Sequence, residues 1–287
     1  MLLWMAYLAV YTAIYLKEFK MLNKKISKLF YILPLVLGLA ACGEKDDTQV
    51  LKVGATVGPH AEVVEAVAAE AAKQGLNVEV VIFSDYITPN AALADGSLDL
   101  NSYQHQPFMS NFNSNSEQKI VSIGHSILMR MGIYSSKYKS INDLPDNAKI
   151  SIPNDPTNGG RGLLLLADAK LITLKPDAGA KTTVYDIVEN PKNFQFVEVE
   201  AAQLPRTLGD VDASVITMNY VMSAGLSPAE QGIYLEAKDA EFAVMNIAAR
   251  EQDKDNETYK KFVEIFQTQA TRDFLDKTYK GTIEAAF

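Results

Sequence analysis

From residue 51 onward, short unbroken apolar runs alternate with stretches whose apolar residues recur every three or four positions. The first pattern predicts buried strands and the second predicts amphipathic helices. The runs "LKVGAT" (51–56), "NVEVVIF" (77–83) and "LDLNSY" (98–103) read as strands, and "AEVVEAVAAEAAKQG" (61–75) reads as a helix. That helix sets Val63, Val64, Val67, Ala68 and Ala71 on one face. It stops at Gly75, which is free to take the left-handed turn that ends a helix. "TPNAALADG" predicts a short helix and "QPFMSNF" the start of another. Such alternation specifies a parallel sheet with helices on its faces, an α/β fold.

A long apolar stretch, "IVSIGHSILMRMGIYS" (120–135), precedes a second series of the same kind. It reads as strand "KISIP", a helix over 161–170, strand "FQFVEVE", helix "LPRTLGD" and strand "ASVITM". "EFAVMNIAAR" (241–250) predicts a second long strand, and the chain closes on helices over 256–268 and about 270–280. These helices turn Tyr259, Phe262, Val263, Phe266, Phe274 and Leu275 toward a core. Two α/β series joined by two long strands imply two lobes between which the chain crosses twice. The expected division is 51–128 with 244–287 as lobe 1, and 129–243 as lobe 2.

Ligands of open α/β sheets collect at the carboxyl ends of the strands. Those ends carry Thr56 to His60, Phe83 to Tyr86, Tyr103 to His105, Asn154 to Arg161, and Thr217 to Tyr220. The implied pocket is aromatic, with one arginine and a few amides or hydroxyls, and suits a zwitterion with an apolar tail. The segment "SIPNDPTNGGRG" (151–162) is a loop by its Pro and Gly content, with Asp155 or Asn158 placed to cap a helix beginning near Arg161. An arginine in a first helical turn opposes the helix dipole by roughly 0.3–1 kcal/mol. Either a ligand carboxylate compensates it, through the guanidinium fork and the loop amides, or the arginine is simply solvated.

The formal net charge is −8, and the first 41 residues hold five lysines against one glutamate, so the remainder carries −12. An acidic body argues against a nucleic-acid surface. The single cysteine, Cys42, ends "LFYILPLVLGLAAC" and follows the basic segment "MLNKKISK". A basic region, an apolar region and small residues before a cleavage point make a secretory signal. Leu39-Ala40-Ala41-Cys42 matches the bacterial lipobox, so Cys42 is the expected lipidated mature N-terminus, followed by a charged tether to residue 50. Met21 would begin a complete signal by itself, which makes it the expected true start within the 1–41 signal region. The preceding "LLWMAYLAVYTAIYL" is slightly short of the roughly 20 residues that span a bilayer.

The motifs "VGPHAEV", "FSDYITPN", "LDLNSYQHQPF", "IPNDPTNGGRGLLLL", "VENPKNFQFVEVEAAQLPR" and "EQGIYLE" come in order from about residue 50 to the C-terminus. In them the chain closely resembles the substrate-binding lipoproteins of bacterial methionine ABC importers. The resemblance implies a two-lobed type II periplasmic-binding-protein fold, each lobe a mostly parallel sheet flanked by helices, with methionine or an analogue in the interlobe cleft. It implies a monomer without cofactor or catalysis, lipid-anchored in the bacterial cell envelope, that docks on an ABC permease with its ATPase. On the family pattern Tyr86, Tyr103, His105 and Phe108 fall in the aromatic cradle, with Phe108 in place of the usual tyrosine, and Arg161 holds the ligand carboxylate. Thr217 and Met245 stand where the family usually has asparagine, with Asn219 and Asn246 close by, which leaves the exact ligand open.

A zinc-binding lipoprotein is the competing reading, because His60, His105 and His125, the only histidines, all fall near strand ends of one lobe. No HExxH, CxxC, GxSxG or Walker loop is present, so an enzyme has no motif to stand on.

Overall fold

The computed structural model describes residues 50–287, which lie within one compact unit, Thr48–Phe287. The signal region, Met21, Cys42 and the tether up to residue 49 fall outside the described residues. The alternation read from the pattern is there: β1 (Leu51–Thr56), α1 (Pro59–Lys73), β2 (Val78–Phe83), α2 (Thr88–Ala94), β3 (Leu100–His105), α3 (Gln106–Asn115) and β4 (Ile120–Leu128). Helix α1 buries Val63, Val64, Val67 and Ala71, and the chain leaves it through Gly75 at φ +74°. Ala68, expected on the same face, is only half-buried.

The long apolar stretch divides. Its first part is β4, and after Met129 and Arg130 its second part is β5 (Met131–Tyr134), which belongs to another sheet. That sheet continues with β6 (Lys149–Pro153), then α4 (Pro156–Asp168), a small hairpin of β7 (Thr173–Leu174) and β8 (Ile187–Glu189), and β9 (Gln195–Val199). It closes with α5 (Leu204–Thr207), β10 (Ala213–Thr217), α6 (Met218–Ser223), α7 (Pro228–Gln231) and β11 (Gly232–Leu235). The chain then returns through β12 (Val244–Arg250), α8 (Glu257–Phe266), α9 (Gln269–Tyr279) and β13 (Glu284–Ala285).

The first sheet runs β13-β4-β12-β3-β1-β2 and the second β11-β5-β10-β6-β9. In each, the nucleotide-fold-like core is parallel (β2-β1-β3 and β10-β6-β9), and the returning strands β12, β4, β5 and β11 pair antiparallel. The result is a two-lobed α/β fold. One core packs sheet 1 against α1, α8 and α9, including Phe262, Phe266 and Leu275. Another fills sheet 2 with Ile150, Ile152, Leu163, Leu166 and Val215. A third, aromatic cluster joins Tyr86 and Tyr103 of the first lobe to Tyr134, Ile216 and Tyr220 of the second.

The helix expected over 161–170 begins five residues earlier, at Pro156, with Asp155 as its cap accepting from the Asn158 N–H at 2.9 Å. The sequence pattern puts Gly159 and Gly160 in a loop, because glycine disfavours helix by about 1 kcal/mol. Inside α4 Gly160 is required by close approach, since a Cβ there would overlap the Ala180 carbonyl. The helix survives its glycines because Leu163, Leu165 and Leu166 bury its other end. No helix among the described residues is long and apolar enough to cross a membrane.

Candidate functional site

A narrow cavity lies between the two sheets, where β1, β3 and β10 end and the chain crosses at Met129. Seven of the eight ligand-binding residues read from the sequence line it: Tyr86, Tyr103, His105, Phe108, Arg161, Thr217 and Met245. Asn219 lies one layer behind and is fully buried. His60, Gln104, Met129 and Asn158 also line the cavity and were not singled out as ligand contacts. In sequence Met129 is one residue of an apolar run indistinguishable from strand core, and Asn158 carries only the signal of a helix cap.

The aromatic wall is built from the ends of β2 and β3 and the first turn of α3. Tyr86 stacks on Tyr103 (centroids 6.1 Å, 28°), and Phe108 stands edge-on to both at 6.2 and 6.1 Å. Tyr103 donates its hydroxyl to the Tyr86 carbonyl at 2.9 Å. Tyr86 donates across the cleft to Asn219 Oδ1 at 2.6 Å, which leaves Thr217 Oγ1 to donate to the Tyr86 oxygen at 2.7 Å. Burial raises the Tyr86 and Tyr103 hydroxyls well above their ordinary range, so both stay neutral donors.

His105 caps α3: its Nδ1 accepts from the Phe108 N–H at 3.1 Å. The proton must therefore sit on Nε2, which donates across the cleft to Asn158 Oδ1 at 3.0 Å. Burial, helped by the Arg161 charge, lowers its pKa to about 3. With both nitrogens engaged, this imidazole has no lone pair for a metal. His60, in the first turn of α1, is also lowered to about 3 by burial, and its Nδ1 finds no partner. His125 is exposed on β4 and does not reach the cavity. The three histidines do not converge, and among the described residues no cluster of three or more His, Cys, Asp or Glu could hold a metal ion. The zinc reading is thereby corrected: His60 and His105 both line the cavity, but His125 lies exposed within β4 and supplies no third ligand.

Arg161 departs most from expectation. It is neither solvated nor in a first turn: it is 2% exposed, in the middle of α4. Its Nε donates to Glu236 Oε1 at 2.9 Å, and its Nη2 donates to Glu236 Oε2 at 2.5 Å and to the Met129 carbonyl at 2.8 Å. The bidentate edge expected for a ligand is thus filled by an internal carboxylate. Only Nη1, which no described residue engages, is left for the cavity. Glu236, 75 residues away in sequence, was missed; nothing local pairs the two.

The sequence profile of the NlpA lipoprotein family matches residues 51–287. The chain is 43% identical to the D-methionine-binding lipoprotein MetQ of Salmonella typhimurium, over 85% of this chain and 92% of that protein. It is equally 43% identical to outer membrane lipoprotein 3 of Mannheimia haemolytica, over 86% and 93% of the two chains. Among solved structures it superposes on a nutrient-binding protein from Burkholderia cenocepacia bound to methionine, with TM-score 0.80 and 45% identity over 83% of this chain and all of that one. A methionine-binding protein MetQ gives TM-score 0.80 at 40% identity, over 84% and 99%. A profile match across the whole described fold and relatives above 40% identity over most of both lengths leave one assignment: the chain belongs to the NlpA lipoprotein family.

Proposed function

We propose that this chain is the substrate-binding lipoprotein of an ABC importer, which captures methionine or a closely related methionyl compound and hands it to the membrane permease and its ATPase. The observation that carries the reading is the cavity itself. Arg161, whose Nε and Nη2 are taken by described residues while Nη1 is not, lines an otherwise uncharged pocket with Tyr86, Tyr103, Phe108, Met129 and Met245. A carboxylate fits the guanidinium, and a thioether tail fits the aromatic lining through sulfur–aromatic contacts of roughly 0.3–1.5 kcal/mol each. Relatives named for methionine binding support it.

Thr217 Oγ1 and the Tyr86 oxygen are neutral acceptors for the ligand ammonium, and Asn219 holds Tyr86 in place. Residues 51–128 with 244–287 act as one lobe and 129–243 as the other, hinged at Met129–Arg130 and the return before β12. The protein works as a monomer and binds rather than catalyses. Calorimetric titration with L-methionine, D-methionine, Gly-Met and Zn²⁺ tests the reading. Saturable one-to-one binding of a methionine compound is expected; binding of Zn²⁺ alone would sink it.

We further propose that Cys42 carries the lipid that holds the protein at the cell envelope. Intact mass of membrane-extracted protein should begin at Cys42 with acyl chains attached, and Cys42→Ala should release the protein from membranes, because two or more chains anchor stably. An unmodified Cys42 in the mature protein would count against it.

A further inference from the structure

Arg161 is the one charged residue that lines the cavity, yet it does not enter it as a bare cation. Glu236 lies behind it, 7% exposed, off the cavity wall and at the end of β11. Its two oxygens take the Nε and Nη2 of Arg161, and Oε2 also accepts the Met131 N–H at 3.0 Å. The Met129 carbonyl takes a further Nη2 proton. These bonds clamp the guanidinium between α4 and the crossing segment and leave Nη1 as the only free nitrogen. Asp155, half-buried, caps the N-terminus of α4, whose dipole offsets its charge.

We propose that Glu236 is the positioning residue that sets the charge selectivity of this cavity. By neutralising Arg161 internally it makes the site accept a net-neutral zwitterion over an anion of the same shape. A bare guanidinium would attract the ligand carboxylate more strongly but would repel the ammonium beside it. No described carboxylate lines the cavity to offset that repulsion. With Glu236 in place, the carboxylate still meets Nη1, while the ammonium sees a pair of zero net charge. The inference rests on the methionine reading above and deepens it.

The test compares two ligands of nearly equal shape, L-methionine and its analogue lacking the amino group, 4-(methylthio)butanoate, which is an anion. Calorimetry on wild type, Glu236→Gln and Glu236→Asp gives the ratio of their affinities. In Glu236→Gln the ratio should move toward the anion by about 10-fold or more, the scale of one uncompensated charge several ångströms away in a partly dry site. Glu236→Asp keeps the charge and should hold the wild-type ratio, even if both affinities fall. A merely structural role would weaken both ligands equally in Glu236→Gln and leave the ratio unchanged; that result overturns the proposal. Should Glu236→Gln not fold, Glu236→Met, which removes the charge at similar volume, reads the same ratio: a shift toward the anion relative to wild type supports the proposal and an unchanged ratio overturns it. If wild type binds neither ligand, the methionine reading itself fails, a distinct outcome.

Discussion

Arg161→Ala should lose methionine affinity by roughly 30-fold to several thousand-fold, the range for removing one partner of a buried charge pair. It should also destabilise the fold by about 3–5 kcal/mol, because Glu236 is left as a buried carboxylate with only the Met131 N–H for company. A residue at a loop–helix junction, where the sequence pattern puts Arg161, could be lost at little cost to the fold; its burial against Glu236 makes the loss costly. Arg161→Lys should recover little, since an ammonium cannot fill the Nε–Nη2 fork. The double variant Arg161→Met, Glu236→Gln separates the two effects: stability should return substantially, as apolar replacements of buried ion pairs often allow, while binding should not. Urea denaturation and calorimetry on the same samples read both. Intact methionine binding in Arg161→Ala would remove the arginine from the site.

Acid should destabilise the protein in a window above that of its carboxylates. His60 and His105 are held neutral by burial, with pKa values lowered to about 3 against roughly 6.5 when unfolded. Between those values the unfolded chain binds protons that the folded chain does not, so stability rises with pH there. The contribution is fully present above about pH 6.5 and is lost as the pH falls from there through about 3. Each histidine gives a slope of about 1.4 kcal/mol per pH unit, so the pair should remove about 4–5 kcal/mol between pH 6.5 and 4.5. That is a large part of a typical domain stability of about 5–15 kcal/mol. Denaturation at stepped pH should show about two protons taken up on unfolding near pH 5, and His60→Asn or His105→Asn should remove one each. Uptake of fewer than one proton would show that these imidazoles charge in the folded state.

What could be read in advance follows the range of the physics involved. Strands β1, β2, β6, β9 and β10 and the buried face of α1 rest on local periodicity, and the pattern gives them to within a residue at each end, while β3 is set two residues later than the pattern places it. The site was legible because strand ends gather wherever parallel strands share a sheet, which places Tyr86, Tyr103, His105 and Thr217 together without any contact being known. The partner of Arg161 was not legible, because Glu236 reaches it only through the return of β11 beside β5. The unlike fates of His60, His105 and His125 depend on which of them line the cavity and on one cap bond, which identity and spacing do not encode. The early start of α4 rests on burial of Leu163, Leu165 and Leu166, which outweighs glycine's propensity, and the glycine at 160 answers a tertiary contact, the Ala180 carbonyl, that leaves no room for a Cβ.

The position of β12 has a consequence for how the chain is built. This strand sits between β4 and β3 in the first sheet, yet it comes after the whole second sheet in the chain. Until Val244–Arg250 has been made, β3 and β4 each expose an unpaired edge and most of the first core has no lid. The second sheet is contiguous, from Met131 to Leu235, and can close as soon as it emerges. Assembly therefore runs from the middle outward, with the amino-terminal third waiting on the last fifth of the polypeptide, a pairing of high contact order and correspondingly slow. A chain cut short before residue 244 would keep one sound half and one aggregation-prone half.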